Sequence, residues 1–139
     1  MKNVLIVEDD FSIADLLQTR LEADGYYVTG IARTVAEALR AAEHHAPDLA
    51  VVDVYLAKGG FGTDVGAHLR QMGNIGILFS TGNDQTKHLT LLVGDAVMTK
   101  PYQLADVGRG LKIIDELAQF GQTQLVFPRN FRLLDPAAV

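Results

Sequence analysis

Short apolar runs alternate with amphipathic stretches along most of this chain, and that alternation restricts its fold more than any other feature of the sequence. Residues 4–7, 49–52 and 75–79 are continuous apolar runs with β-branched side chains, typical of strands that are buried on both faces. Residues 27–31 and 96–98 give two further candidate strands. Because a helical pattern follows each strand, the chain is predicted to form an α/β domain with a five-stranded parallel sheet and helices on both faces.

Apolar residues at helical spacing predict one helix after each strand. These helices lie around residues 13–21, 35–42, 63–72, 89–93 and 104–117. The second begins with a capping-box sequence at residues 34–37. The fourth helix is predicted from Leu89, Leu92 and Val93, and the fifth helix is predicted to end near Gly121.

Length and composition limit the class of protein. The 139 residues, of which 48% are hydrophobic, are enough for one compact domain with its own core. The net charge of −5 disfavours a surface for duplex nucleic acid, which needs clustered Lys and Arg. No apolar run approaches the roughly 20 residues of a membrane helix, and no export signal precedes the first strand. We therefore expect a cytoplasmic protein that binds neither nucleic acid nor membranes.

The end of the chain forms a separate segment in this interpretation. Residues 1–121 are predicted to form the domain, and residues 122–139 a C-terminal extension. A disordered tail would be poorer in large apolar side chains. Here they are Leu125, Val126, Phe127, Phe131, Leu133 and Leu134. We expect an arm that packs on its own domain or on a second copy, giving a homodimer; the alternative is a floppy terminus, or a segment that folds only on a partner.

Charged and hydroxyl side chains stand at the ends of four of the predicted strands. Glu8 and Asp9 follow the first strand, Asp53 ends the third, Thr81 follows the fourth and Lys100 follows the fifth. Functional groups in open parallel sheets gather beyond the carboxyl ends of the strands. These five side chains are therefore expected to share one edge of the sheet.

This set of side chains predicts phosphoryl chemistry at Asp53. Clustered carboxylates raise one another's pKa unless a cation neutralises them, and Mg²⁺ accepts oxygen ligands while leaving room for a phosphoryl oxygen. Lys100 adds a charge suited to phosphate, and Thr81 adds a hydroxyl donor. Together they would stabilise the attack of an aspartate on phosphorus. A strand-end aspartate alone is more often a cap or turn residue, and Asp10 is interpreted as the N-cap of the first helix.

Four motifs of this chain resemble those of a known family. Residues 4–10 (VLIVEDD), 51–53 (VVD), 81–82 (TG) and 100–101 (KP) are similar, in order and approximate spacing, to the receiver domain of two-component response regulators. The resemblance covers residues 2 to about 119 and implies a flavodoxin-like receiver fold with strand order 2-1-3-4-5.

The resemblance also implies a function. A single-domain response regulator accepts a phosphoryl group from a sensor histidine kinase, and it signals by protein contact or by onward phosphotransfer to a histidine phosphotransfer protein. Asp53 resembles the phosphoacceptor. Glu8, Asp9 and Asp53, with the backbone carbonyl of Tyr55, resemble the ligands of the family's Mg²⁺ cofactor. Such a protein is not an enzyme, except that it catalyses at most its own phosphorylation and dephosphorylation.

Two further residues are assigned by the same resemblance, and one residue departs from it. Thr81 resembles the switch hydroxyl, and Lys100 the phosphate-contacting lysine beside the family's cis-proline position, Pro101. Val97 stands where the family usually has an aromatic side chain that swings inward on activation. The output is expected to leave through the face formed by the fourth helix, the fifth strand and the fifth helix.

Two rival functions were weighed. A phosphatase of the haloacid-dehalogenase type also uses an aspartate after a buried strand, but it needs a second carboxylate two residues later, where this chain has Tyr55. It also needs a cap domain, for which the sequence offers no segment. A receiver that binds partners without phosphorylation is the second rival, and it is disfavoured because every phosphotransfer residue is present.

Overall fold

Six strands form a single sheet, with helices between them along the chain. The computed structural model describes residues 1–82 and 89–136. In chain order the elements are β1 (Asn3–Val7), α1 (Phe11–Ala23), β2 (Tyr27–Ala32), α2 (Val35–His44), β3 (Leu49–Asp53), α3 (Gly62–Met72), β4 (Gly76–Thr81), β5 (Ala96–Thr99), α4 (Leu104–Phe120) and β6 (Phe131–Leu133). The sheet order is β2-β1-β3-β4-β5-β6, with β6 alone antiparallel. The predicted α/β class and the order 2-1-3-4-5 are confirmed.

Helices cover both faces of the sheet. In β1, Leu5 and Val7 pack with α2 and α3, whereas Val4 and Ile6 pack with α1 and α4. All four side chains are at most 1% exposed. This burial on both faces accounts for the unbroken apolar run in the sequence. Among the described residues, no helix is both long enough and apolar enough to cross a membrane.

Local signals in the sequence fix several helix ends. Asp10 accepts hydrogen bonds from two backbone N–H groups of the first turn of α1, so it is the predicted N-cap. The Thr34 hydroxyl accepts from the Glu37 N–H, and the Glu37 carboxylate accepts from the Arg33 N–H, which completes a capping arrangement at α2. Gly121 ends α4 in the left-handed conformation, at φ 73°.

The fourth helix predicted on Leu89, Leu92 and Val93 is wrong. Thr90 belongs to an isolated β-bridge, and residues 91–93 form a turn. The preceding residues of that connection, 83–88, lie outside the described residues. The chain therefore has four α-helices in its described ranges, of which α4 is the helix predicted as the fifth.

Contacts with remote residues explain why this segment is not helical. The Leu91 N–H donates to the Asp135 carbonyl at 3.0 Å, and the Leu91 carbonyl accepts from the Arg70 guanidinium at 3.4 Å. A helix would bond these backbone groups internally. Gly66 of α3 also lies so close to the Val93 carbonyl that any Cβ there would clash. Helical spacing of three apolar residues does not reveal such partners.

The C-terminal extension lies on its own domain and adds the sixth strand, which the five-stranded prediction lacked. Strand β6 pairs with the outer edge of β5, with Phe131 opposite Met98. The Phe131 ring lies against Gly110 of α4, where an added Cβ would come within 3.0 Å of it. An unpaired edge strand exposes open backbone groups, and β6 closes that edge. The homodimer and the boundary at residue 121 stay predictions.

The face predicted to carry the output, formed by the fourth helix, the fifth strand and the fifth helix, is altered by the same two features. Of its first component, the predicted fourth helix, residues 89–93 are not helical. Its second component, β5, has its outer edge covered by β6. The C-terminal arm is therefore part of this side of the domain.

Removal of the Phe131 ring tests whether the arm is an integral part of the fold. Phe131 is 8% exposed, whereas Phe11 on α1 is 70% exposed. We expect Phe131→Ala to lower the free energy of unfolding by about 2–4 kcal/mol because it opens a cavity against α4. The control variant Phe11→Ala should cost under about 1 kcal/mol. Equal urea midpoints for Phe131→Ala and the unmodified chain would contradict a docked arm.

Candidate functional site

The structure brings the five predicted side chains to the carboxyl edge of the sheet. Asp53 is the last residue of β3, and Thr81 is the last residue of β4. Glu8 and Asp9 directly follow β1, and Lys100 directly follows β5. Since these four strands are parallel neighbours in the sheet, residues from separate parts of the chain share one small region.

Three carboxylates at this edge could share one cation. Glu8, Asp9 and Asp53 each offer an oxygen, and these oxygens lie within 4.8 Å of one another. Glu8 and Asp53 are buried, at 4% and 8% exposure, and Asp9 is half-buried. A compact set of oxygen donors around a partly open position suits a hard divalent ion such as Mg²⁺. The donor set therefore fits the metal that the sequence predicted.

Lys100 faces two of these carboxylates. Its Nζ lies 3.3 Å from Asp53 Oδ2 and 3.7 Å from Glu8 Oε1. Burial alone would lower the pKa of Lys100, but the Asp53 and Glu8 carboxylates outweigh burial, so the pKa is raised. Lys100 is therefore a charged ammonium at the carboxylate cluster.

Glu8 is a buried carboxyl group whose pKa is raised. Burial raises the pKa of Glu8 from 4.5 to about 7, and the adjacent Asp53 adds to the increase, against the opposing effects of the Asp10 N–H and Lys100. The Asp10 N–H donates to Glu8 Oε2 at 3.1 Å. One ammonium does not fully compensate the buried carboxylates, so Glu8 binds a proton in the metal-free protein below about pH 7.

The loop after β3 holds Asp53 through its backbone. Asp53 Oδ1 accepts a hydrogen bond from the Tyr55 N–H at 3.2 Å. Tyr55 forms a β-bridge with Phe61, and the two hydrogen bonds of that bridge belong to the neighbouring residues. The bridge therefore does not use the Tyr55 carbonyl, which the sequence predicted as a metal ligand. Its role as a ligand stays a prediction.

A glycine allows α3 to start in close contact with the end of β3, the strand that carries Asp53. A Cβ on Gly62 would clash with the Asp53 carbonyl oxygen and would lie 2.8 Å from a Val52 methyl group. The Gly62 N–H donates to the Val54 carbonyl at 2.7 Å. This close approach fixes the end of β3, and with it the Asp53 side chain.

Thr81 lies at the same edge and is 2% exposed. Its backbone carbonyl accepts from the Lys100 N–H at 2.8 Å, so the ends of β4 and β5 are joined next to the cluster. The Lys100–Pro101 peptide is cis, as the resemblance implied. Val97, the position that departs from the family pattern, is 2% exposed and packs in the same core as Phe79.

Two residues near the site were not assigned a role from the sequence. Ser80 is the neighbour of Asp53 in the sheet register, and its side chain affects the pKa of the Tyr102 hydroxyl. Burial raises the pKa of Tyr102, which also senses the charges of Lys100 and Glu8. Ser80 could be found from its position at the end of a strand, whereas no local sequence pattern indicates that Tyr102 lies near it.

Comparisons with known proteins agree with this geometry. The family model "Response regulator receiver domain" matches residues 4–112. The chain is 42% identical over 117 residues to the alkaline phosphatase synthesis transcriptional regulatory protein PhoP of Bacillus subtilis, covering 81% of this chain and 48% of that protein. It is 33% identical over 110 residues to the phyllosphere-induced regulator PhyR of Methylorubrum extorquens, covering 75% and 40%. The chain thus spans about half the length, or less, of these relatives.

A solved structure has the same fold over most of both chains. The CheY-like response regulator receiver domain protein from Methanospirillum hungatei superposes with a TM-score of 0.72 at 27% sequence identity. The match covers 86% of this chain and 98% of that one.

The raised pKa of Glu8 predicts a pH dependence of stability in the metal-free protein. Between its ordinary pKa of 4.5 and the folded value of about 7, the folded state binds more protons than the unfolded state. The contribution of Glu8 is therefore fully present below pH 4.5 and is lost as the pH rises to about 7. Thermal midpoints measured in chelator from pH 5 to 8 should fall less steeply in Glu8→Gln than in the unmodified chain.

The exposed Glu22 on α1 provides the matched control. Glu22→Gln should keep the slope of the unmodified chain, because it removes an exposed carboxyl group by the same chemical change. Parallel curves for Glu8→Gln and the unmodified chain would show that Glu8 binds no extra proton in the folded state.

Proposed function

The chain belongs to the response regulator receiver family, and on that premise we propose that Asp53 accepts a phosphoryl group from a sensor histidine kinase. The observation that carries this proposal is the set of groups around Asp53. Its carboxylate belongs to a cluster whose oxygens lie within 4.8 Å of one another and could bind a cation, and the Lys100 ammonium lies 3.3 Å from it. An aspartate placed in this way can attack phosphorus while its surroundings bind the phosphoryl oxygens.

The transfer step involves one bond formed and one bond broken. An Asp53 carboxylate oxygen attacks the phosphorus of the donor, the bond from phosphorus to the leaving atom breaks, and the leaving atom takes the electron pair. The product is an acyl phosphate on Asp53. Lys100 and the Thr81 hydroxyl would contact the phosphoryl oxygens in this proposal.

Glu8, Asp9, Asp53 and the Tyr55 carbonyl would hold Mg²⁺ in the same proposal. The ion would supply positive charge that neutralises the carboxylates and the phosphoryl oxygens. The cluster of three carboxylates supports this assignment, and the donor set leaves Lys100 available for phosphate. The protein would act as a phosphoacceptor rather than as a metabolic enzyme, catalysing at most its own phosphorylation and dephosphorylation.

The phosphorylated protein would signal through another protein in the cytoplasm. The added charge would bias an equilibrium between inactive and active conformations, and the receiver would contact a downstream protein or pass the group to a histidine phosphotransfer protein. PhoP is described as a transcriptional regulatory protein, but about half of that protein has no counterpart here. We therefore do not extend transcription control or nucleic-acid binding to this chain.

A homodimer is part of the proposal, although β6 pairs within its own chain. Phe120 and Val126 are 69% and 76% exposed, and they flank the start of the extension. A second copy could cover these two side chains without displacing β6. The solution mass of the chain and of a Val126→Glu variant would test this contact.

The phosphatase alternative gains no support from the site. Position 55, where such an enzyme needs a second carboxylate, is a tyrosine with 46% exposure. The Lys100 contact and the cluster of carboxylates would suit both a phosphoacceptor and a phosphatase with an aspartate nucleophile. The two functions are therefore distinguished by measuring the reaction product.

Incubation with Mg²⁺ and acetyl phosphate, followed by intact mass, tests the proposed function. We expect the unmodified chain to gain one phosphoryl group and Asp53→Asn to gain none, because the amide cannot attack phosphorus. Lys100→Met should react more slowly by about tenfold or more, since one charged contact to the phosphoryl oxygens is lost.

Asp15 on α1 is exposed and supplies the matched control, Asp15→Asn, which should react as the unmodified chain does. No mass gain in the unmodified chain would contradict phosphoacceptor function and favour a receiver that only binds partners. Continuous hydrolysis of a phosphate monoester such as p-nitrophenyl phosphate, which is not an activated phosphodonor, would instead favour the phosphatase.

A further inference from the structure

The C-terminal arm forms hydrogen bonds with the residues before and after Lys100. On the inner side, towards β4, the Lys100 N–H donates to the Thr81 carbonyl at 2.8 Å. On the outer side, the Thr99 N–H donates to the Asn130 carbonyl at 3.0 Å, and the Asn130 side-chain amide donates to the Pro101 carbonyl at 2.9 Å. One arm residue, Asn130, therefore holds the residues before and after Lys100.

Asn130 is itself held in an uncommon conformation. Its φ is +64°, in the left-handed region that asparagine tolerates better than most residues other than glycine. The next residue, Phe131, is buried against α4, and Leu134 is 4% exposed with its N–H bonded to the Asp95 carbonyl at 2.9 Å. Asn130 is thus attached to a strand that is anchored at both ends.

We propose that Asn130 is a positioning residue for Lys100. It keeps the Lys100 backbone between β4 and the arm, so that the ammonium stays near Asp53. This inference rests on the proposed function, because it concerns the Lys100 contact to a phosphoryl group on Asp53. The lysine side chain is long and flexible, so looser backbone at its base lowers the fraction of time that Nζ spends at the acceptor.

The effect of Asn130 is specific to the phosphoryl group. The carboxylates of Glu8, Asp9 and Asp53 are placed by β1 and β3, on the far side of β4 from the arm. Loss of the Asn130 contacts should therefore weaken the binding of a phosphoryl mimic without weakening the binding of Mg²⁺. A general loss of structure would weaken both.

Binding energies of this kind are reciprocal. If the arm supports the Lys100 contact to the phosphoryl group, then occupation of the acceptor must stabilise the arm by the same factor. Occupation of Asp53 by a phosphoryl group would then be detectable as greater stability of β6, the strand that covers the outer edge of β5.

The test compares the full-length chain with Asn130→Gly. Glycine adopts the same positive φ and keeps the backbone carbonyl, so only the side-chain amide is lost. Titration calorimetry gives the affinity for beryllium fluoride, a phosphoryl mimic, in saturating Mg²⁺, and the affinity for Mg²⁺ alone. We expect the beryllium fluoride affinity to fall about threefold to tenfold, on the order of one hydrogen bond, and the Mg²⁺ affinity not to fall, because a looser Lys100 competes less with the ion. Gln124→Gly removes an exposed amide elsewhere in the arm and should leave both affinities unchanged.

Hydrogen exchange provides a second measurement that needs no change in the arm. Beryllium fluoride should slow exchange at residues 130–134 of the unmodified chain, and it should not do so in Lys100→Met. Unchanged beryllium fluoride affinity in Asn130→Gly, or an equal loss of both affinities, would overturn the positioning role. Failure of the unmodified chain to bind beryllium fluoride would instead remove the proposed function, and the inference with it.

Discussion

The contact between Lys100 and the carboxylates of Asp53 and Glu8 is the interaction on which the rest of the site depends. A parallel sheet brings the ends of β1, β3 and β5 to one edge, and in this chain that edge receives three carboxylates within 4.8 Å. Buried like charges at this distance are unfavourable unless a cation is present. Lys100 supplies that cation at 3.3 and 3.7 Å, while burial, with a smaller contribution from Asp53, still raises the pKa of Glu8.

Rigid local structure keeps these charges in place. Gly62 lets α3 begin directly against the carbonyl of Asp53, and the Tyr55 N–H orients the Asp53 carboxylate. On the other side, Asn130 and Thr81 bond the backbone around Lys100. A site that must bind and release a phosphoryl group benefits from such preorganisation, because little ordering is needed when the group arrives. The receiver function therefore follows from the sheet edge and from the loops that support it.

The sequence predicted what is encoded locally. Residue types at strand ends, the Asp10 cap and the apolar runs all depend on a few neighbouring residues, so Asp53 and Lys100 could be assigned to one edge before the structure was known. The non-helical backbone of residues 89–93 and the sixth strand depend on pairs that are far apart in the chain, such as Leu91 with Asp135. Phe131 likewise finds its place only because α4 has a glycine at residue 110. No periodicity within one segment contains that information.

Lys100 is the counterion of the carboxylate cluster in the metal-free protein. Calorimetric titration of Mg²⁺ into the unmodified chain and into Lys100→Met, at pH 8.5 to limit protonation of Glu8, tests this role directly. Lys112, exposed on α4, provides the control Lys112→Met. If Lys100 neutralises the cluster, its removal makes Mg²⁺ bind several-fold more tightly, because the cation no longer competes with an ammonium, while the control is unchanged. Equal or weaker Mg²⁺ binding by Lys100→Met would contradict the account.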